Sequence, residues 1–134
     1  MAHRPPRILI VDDEPDVLTV LRLGLEADGF EVVTASNGVD GLEQARLARP
    51  DLVTLDLMMP RMDGYKVCRT LRADPRFRDV PVMIVSARNG ETDRRLALEL
   101  GADDYVALPC VLHEFVARVR ALLAARDTAR DALG

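Results

Sequence analysis

Three aspartates stand where apolar runs end or break: Asp12 and Asp13 close "RILIV", and Asp56 sits between Leu55 and Leu57 in "LVTLDL". A carboxylate set into an apolar strand loses hydration, so it must raise its pKa or acquire a partner. That makes Asp56 a candidate for chemistry. Asp13 taken alone reads more simply, as the N-cap or first-turn acid of the helix that Pro15 opens. If the first and third strands are neighbours, however, the three carboxylates converge and their repulsion calls for a cation. Hard oxygen ligands on a rigid frame, with room left for water and a phosphate, suit Mg2+. With a metal neutralising it and the incoming phosphoryl oxygens, one carboxylate of such a site becomes a nucleophile toward phosphorus.

The elements that must position these residues alternate along the chain, short β-branched runs with longer stretches of helical period. A first strand is expected over Arg7–Val11. In the helix after it Val17, Leu18, Leu21 and Leu25 share a face, and Gly29 follows as C-cap. "FEVVTAS" reads as the second strand, Asn37 and Gly38 open the second helix, and Pro50 stops it. The third strand is expected over Leu52–Leu57, and the third helix follows the "MDG" turn to about Asp74. A fourth strand over Val80–Ser86 and a fourth helix from Glu91 to Leu100, capped by Gly101, come next. "GADDYVALPC" then supplies a fifth strand, and a fifth helix from Val111 to Arg126 carries Leu112, Phe115, Val116, Val119, Leu122 and Leu123 as its apolar stripe. Near-continuous apolar strands joined through helices imply a doubly wound parallel sheet covered on both faces, with right-handed crossovers. In such sheets ligands bind beyond the carboxyl ends of the strands, where the aspartates are. The polar "RDTARDALG" reads as a fraying tail or the start of a linker, which sets the domain at 1–126 and the tail at 127–134.

The 134 residues, 49% of them hydrophobic, make one domain with a substantial core. A net charge of −4 gives no electrostatic case for direct binding to nucleic acid or to an anionic membrane. "ILIV" and "VMIV" are far too short to cross a bilayer. Cys68 and Cys110 form neither a CxxC nor a disulfide framework, so both are expected as reduced thiols in a cytoplasmic protein. His3 and His113 lack an acid or cysteine at ligand spacing and make no zinc site. No GxGxxG or P-loop follows the first strand, and "DDEPD" would repel the phosphate of a flavin in an electron carrier of the same architecture.

Taken in order, "ILIVDDEPD", "DLVTLDLMMPRMDG", "PVMIVSAR" and "GADDYVALP" resemble the successive signatures of the receiver domain of two-component response regulators. The resemblance spans nearly the whole chain and implies a flavodoxin-like sheet of strand order 2-1-3-4-5 with five helices. It implies that Asp56 accepts a phosphoryl group from a sensor histidine kinase, making the chain no enzyme beyond its own phosphorylation and dephosphorylation. Asp12 and Asp13 match the acidic pair that holds Mg2+ with Asp56, and the backbone carbonyl of Met58 matches a further ligand. Ser86 matches the hydroxyl that moves to the aspartyl phosphate, Ala87 the small residue beside it, and Tyr105 the aromatic that swings inward in response. Without the resemblance, Ser86 would be a strand-end cap and Tyr105 a half-buried aromatic with a wet hydroxyl.

One position departs from the family. A lysine ends its fifth strand before a proline, and here Pro109 is present but Leu108 holds the lysine's place. A charge-assisted bond of that kind contributes roughly 1.5 to 3 kcal/mol, so its loss is expected to weaken phosphorylation or its coupling to conformation. Arg88 is a candidate replacement cation, with a solvated surface arginine as the simpler alternative. The missing lysine also supports a second reading, a pseudo-receiver acting as a phosphorylation-independent interaction module. Signalling is expected through the fourth helix, fifth strand and fifth helix, where Arg94, Asp103, Asp104 and Arg118 resemble a homodimerising charged set. A solvated charged surface is the equal alternative for those four. An output domain or effector protein would receive the signal.

Overall fold

The computed structural model describes residues 4–133, so His3 lies outside the described residues. Ten elements alternate: β1 (Arg7–Val11), α1 (Pro15–Ala27), β2 (Glu31–Ala35), α2 (Gly38–Ala48), β3 (Leu52–Leu55), α3 (Gly64–Ala73), β4 (Val82–Ser86), α4 (Glu91–Glu99), β5 (Asp104–Ala107) and α5 (Leu112–Leu133). The strands form one parallel sheet of order β2-β1-β3-β4-β5. This is the flavodoxin-like, doubly wound arrangement, and its order reverses between β1 and β3.

Strand alternation divides the interior into two layers. Leu9, Val11, Val53, Leu55 and Ile84 point to one face, where Leu42 and Ala45 of α2, Val67, Cys68 and Leu71 of α3 and Ala97 of α4 cover them. Ile8, Ile10, Met83, Val85 and Val106 point to the other and meet Leu21 and Leu25 of α1 and Phe115, Val119 and Leu123 of α5. The helices start where sequence chemistry places them. Pro15 occupies the first turn of α1, the Asn37 side chain accepts from the Asp40 amide at the start of α2, and Asp63 accepts from the Lys66 amide at the start of α3. Gly29 closes the α1 turn at φ 92°, a left-handed conformation that favours glycine. Both cysteines are free, with Cys68 buried.

Several boundaries differ from the sequence expectation. β3 stops at Leu55, so Asp56 is the first residue beyond the strand rather than inside it. β4 begins at Val82 rather than Val80, and β5 keeps only Asp104–Ala107 because residues from Gly101, at φ 107°, still belong to the turn after α4. The fifth helix, expected to end near Arg126, runs on to Leu133. At the expected end, the Arg126 guanidinium donates to the Asp51 carbonyl at 2.9 Å and holds that turn of the helix against the start of β3. The alanines and arginines that follow are good helix formers.

Candidate functional site

Register brings the carboxylates together. Val11 pairs with Leu55 across β1 and β3, so the next residue of each strand, Asp12 and Asp56, emerges side by side at the switch in strand order. The Asp56 amide donates to the Val11 carbonyl at 2.9 Å, and the Asp12 amide to the Ala35 carbonyl at 3.1 Å. The carboxylates of Asp12, Asp13 and Asp56 each place an oxygen within 4.8 Å of the others. Asp12 is 2% exposed and Asp56 8%, while Asp13 is only partly buried.

Each buried carboxylate keeps one backbone bond. Asp12 Oδ1 accepts from the Glu14 amide at 2.9 Å, and Asp56 Oδ1 from the Met58 amide at 3.3 Å. These bonds favour the ionised forms but do not outweigh burial. Burial first, then the negative charges of Asp56 and Asp13, push the Asp12 carboxyl up to about 7. Asp56 is likewise raised, by burial and then by Asp13. Crowded, hard oxygen donors, two of them raised in this way by burial and mutual repulsion, have the chemistry of a Mg2+ site, where a cation takes the place of the protons.

Gly64 fixes how closely the loop after β3 folds back. A Cβ on Gly64 would lie 2.2 Å from the Asp56 carbonyl oxygen, so only glycine permits the approach of α3 to Asp56. The "MDG" turn marked a helix start in the sequence, but this contact across eight residues needed the fold.

The remaining residues form a network that meets Asp56 through the Met58 amide. Ser86 is fully buried at the end of β4, and its Oγ accepts from the Arg88 amide at 3.2 Å. Tyr105 is buried rather than half exposed, and its hydroxyl donates to the Arg88 carbonyl at 2.5 Å instead of to water. The Met58 side chain is exposed, and its Sδ accepts from Arg88 Nη1 at 3.3 Å. Arg88 Nε also donates to Asp93 at the start of α4, at 3.0 Å, and the Tyr65 hydroxyl donates to the other oxygen of Asp93 at 2.9 Å. Bonds from Tyr65 and then Arg88 hold the Asp93 carboxyl below its ordinary range. Neither Asp93 nor Tyr65 was legible as part of the site.

Leu108 does not face the carboxylates. Its amide donates to the Ser86 carbonyl at 2.8 Å. Its side chain joins the α1 and α5 layer and lines a hollow of about 470 Å³ with Val17, Val20 and Leu21 of α1 and Ala87. Pro109 follows through a cis peptide bond.

Of the four surface charges expected at a dimer contact, Arg94 is exposed, but the others have partners in their own chain. Asp103 accepts from Arg72 at 2.7 Å and from the Val82 amide at 2.9 Å, and Asp104 pairs with Arg118 at 3.0 Å. Among the described residues no helix is long and apolar enough to cross a membrane.

Residues 8–120 match the model of the response regulator receiver domain family. The chain is 51% identical over 123 residues to the transcriptional regulatory protein PrrA of Mycobacterium tuberculosis, covering 92% of this chain and 52% of that protein. It thus spans about half the length of the curated relatives it matches. The signal receiver domain of a signal transduction histidine kinase from Syntrophus aciditrophicus superposes with a TM-score of 0.83 at 36% identity, covering 90% of this chain and 91% of that one. A CheY-like receiver domain protein from Methanospirillum hungatei gives 0.87 at 23% identity, covering 93% and 98%, and attests the fold.

Proposed function

The chain belongs to the response regulator receiver domain family, and from that premise we propose that Asp56 accepts a phosphoryl group from a sensor histidine kinase. Receiver domains generally bind Mg2+ and are not enzymes in the ordinary sense. The observation that carries the proposal is the convergence of Asp12, Asp13 and Asp56 within 4.8 Å at the carboxyl ends of β1 and β3.

In the proposed reaction an Asp56 oxygen forms a bond to phosphorus while the P–N bond of a phosphohistidine breaks. The electron pair of that bond stays on the imidazole nitrogen, which takes up a proton. Asp12, Asp13, Asp56 and the backbone carbonyl of Met58 would hold Mg2+. When bound, the cation would offset part of the charge of the carboxylates and the phosphoryl oxygens. Gly64 and the Val11 carbonyl keep the Asp56 backbone in place. Ser86 serves as the hydroxyl that turns to the aspartyl phosphate, and Tyr105, already inside, fills the space beside it.

The signal leaves through α4, β5 and α5, with Arg94, Asp103, Asp104 and Arg118 as a homodimer contact that would exchange their internal partners for the second copy's. The receiver domain occupies 1–126, and 127–134 begin the connection to an output domain or effector, as the name of the longer mycobacterial relative suggests. The location of action is the cytoplasm, and DNA or membrane would be reached only through another domain.

Incubation with acetyl phosphate and Mg2+ should add one phosphoryl mass to the parent and none to Asp56→Asn. A parent of unchanged mass under forcing donor concentration contradicts the proposal and leaves the phosphorylation-independent interaction module in its place.

A further inference from the structure

A phosphoryl group arriving at Asp56 adds negative charge to a pocket that already holds three carboxylates, and a single divalent cation does not balance it. A second positive group is required, and Leu108 supplies none because its side chain packs into the hollow beside α1. Arg88 is the cation tied to both Ser86 and Met58. Its amide is bonded to Ser86 Oγ at 3.2 Å, its Nη1 lies 3.3 Å from Met58 Sδ, and the Met58 amide in turn donates to Asp56 Oδ1. The guanidinium therefore lies over the residue two positions past Asp56.

Resting on the phosphoacceptor reading, we propose that Arg88 is the phosphoryl-binding cation of this chain, reaching the oxygens of phospho-Asp56 from the β4–α4 side. A guanidinium carries five N–H donors. In the structure Nε serves Asp93, and Nη1 serves only a thioether, a weak acceptor that a phosphoryl oxygen readily displaces. Arginine presents its donors as a planar fork suited to phosphate geometry, and half of this side chain is exposed, so it is free to swing. Asp93 competes for the same group. Engagement of phosphate draws Arg88 from Asp93 and leaves that carboxylate to Tyr65, which links the event at Asp56 to the first turn of α4.

The test compares the parent, Arg88→Gln and Asp93→Asn, in Mg2+. Phosphorylation by acetyl phosphate is followed by intact mass, and binding of fluoroberyllate by tyrosine fluorescence. The chain has no tryptophan and two tyrosines, Tyr65 and Tyr105, each bonded to Asp93 or Arg88. Loss of one charge-assisted bond predicts that Arg88→Gln is phosphorylated about ten- to a hundredfold more slowly and binds fluoroberyllate more weakly by a similar factor. Asp93→Asn, which frees the guanidinium, should react at least as fast as the parent. Arg88→Gln reacting and binding like the parent overturns the proposal and leaves the phosphoacceptor reading standing. Asp93→Asn slowed as much as Arg88→Gln also overturns it, because Arg88 would then act only by anchoring α4. A parent that takes no phosphate overturns both readings.

Discussion

Removing the proton or the metal from Asp12 should cost stability, and the size and sign follow from its surroundings. Its carboxyl is raised from 3.8 to about 7, chiefly by burial and then by the charges of Asp56 and Asp13. The folded state then binds more protons than the unfolded chain between those two values, so stability is greatest near the lower one and falls as pH rises toward the higher. At 1.36 kcal/mol per unit, this interval sets a ceiling of about 4 kcal/mol for Asp12, and the raised Asp56 acts in the same direction. Mg2+ competes with the proton for the same oxygens, so it should stabilise strongly at pH 8 and little at pH 5. The assay is urea denaturation followed by circular dichroism at pH 5 to 8, with EDTA or with Mg2+, for the parent and Asp12→Asn. The parent in EDTA should lose stability across that range. Asp12→Asn, which cannot ionise, should show a flatter profile, exceed the parent at pH 8 in EDTA, and gain less from Mg2+. A parent whose metal-free stability is constant or rises from pH 5 to 8, or an Asp12→Asn profile parallel to the parent's, would refute the reasoning.

Two other perturbations probe the frame around the site. Gly64→Ala sets a methyl against the Asp56 carbonyl and the Leu57 Cα, at 2.2 and 3.0 Å, and backbone must move to admit it. It should lose about 1 to 3 kcal/mol in urea denaturation and be phosphorylated more slowly, and parental values for both would deny the close approach. Arg72, whose side chain is 19% exposed, donates to the carbonyls of Gly101, Phe77 and Val80 at 2.9, 3.0 and 2.7 Å and pairs with Asp103. Arg72→Met should therefore cost at least about 2 kcal/mol in the same assay while leaving the folded protein able to take phosphate. A loss below about 0.5 kcal/mol, the usual range for a surface change, would mean that this clasp carries no weight.

The order and type of the elements could be read because Pro15, Pro50, Gly29 and Gly101 punctuate apolar runs whose period changes cleanly. Strand order could not be read that way. Periodicity places Leu9 and Ile10 on opposite faces of a strand but says nothing about which strand lies beside it, and the order came from the family resemblance. The three aspartates were legible for a physical reason, since carboxylates at the ends of apolar strands are costly without a partner. What escaped depends on contacts between residues remote in sequence. Tyr65 joins the site through Asp93, 28 residues away, which Arg88 holds in turn. Asp103 is an exposed charge as expected, but its partner Arg72, 31 residues away, was not legible. The Tyr105 hydroxyl has its acceptor in a carbonyl 17 residues earlier in the chain. Helix 5 outran its expected end, and at that end Arg126 reaches Asp51, a contact that no local pattern of "RDTARDALG" encodes.

The most direct measurement locates the phosphate. An aspartyl phosphate is a mixed anhydride that borohydride reduces to homoserine, whereas a free carboxylate is not reduced. After treatment with acetyl phosphate and Mg2+, then borohydride, peptide mass spectrometry should find homoserine at position 56 and unchanged aspartate at 12 and 13. Homoserine at either of those positions, or at none of the three in a chain that has gained phosphoryl mass, would contradict the assignment of Asp56 as the acceptor.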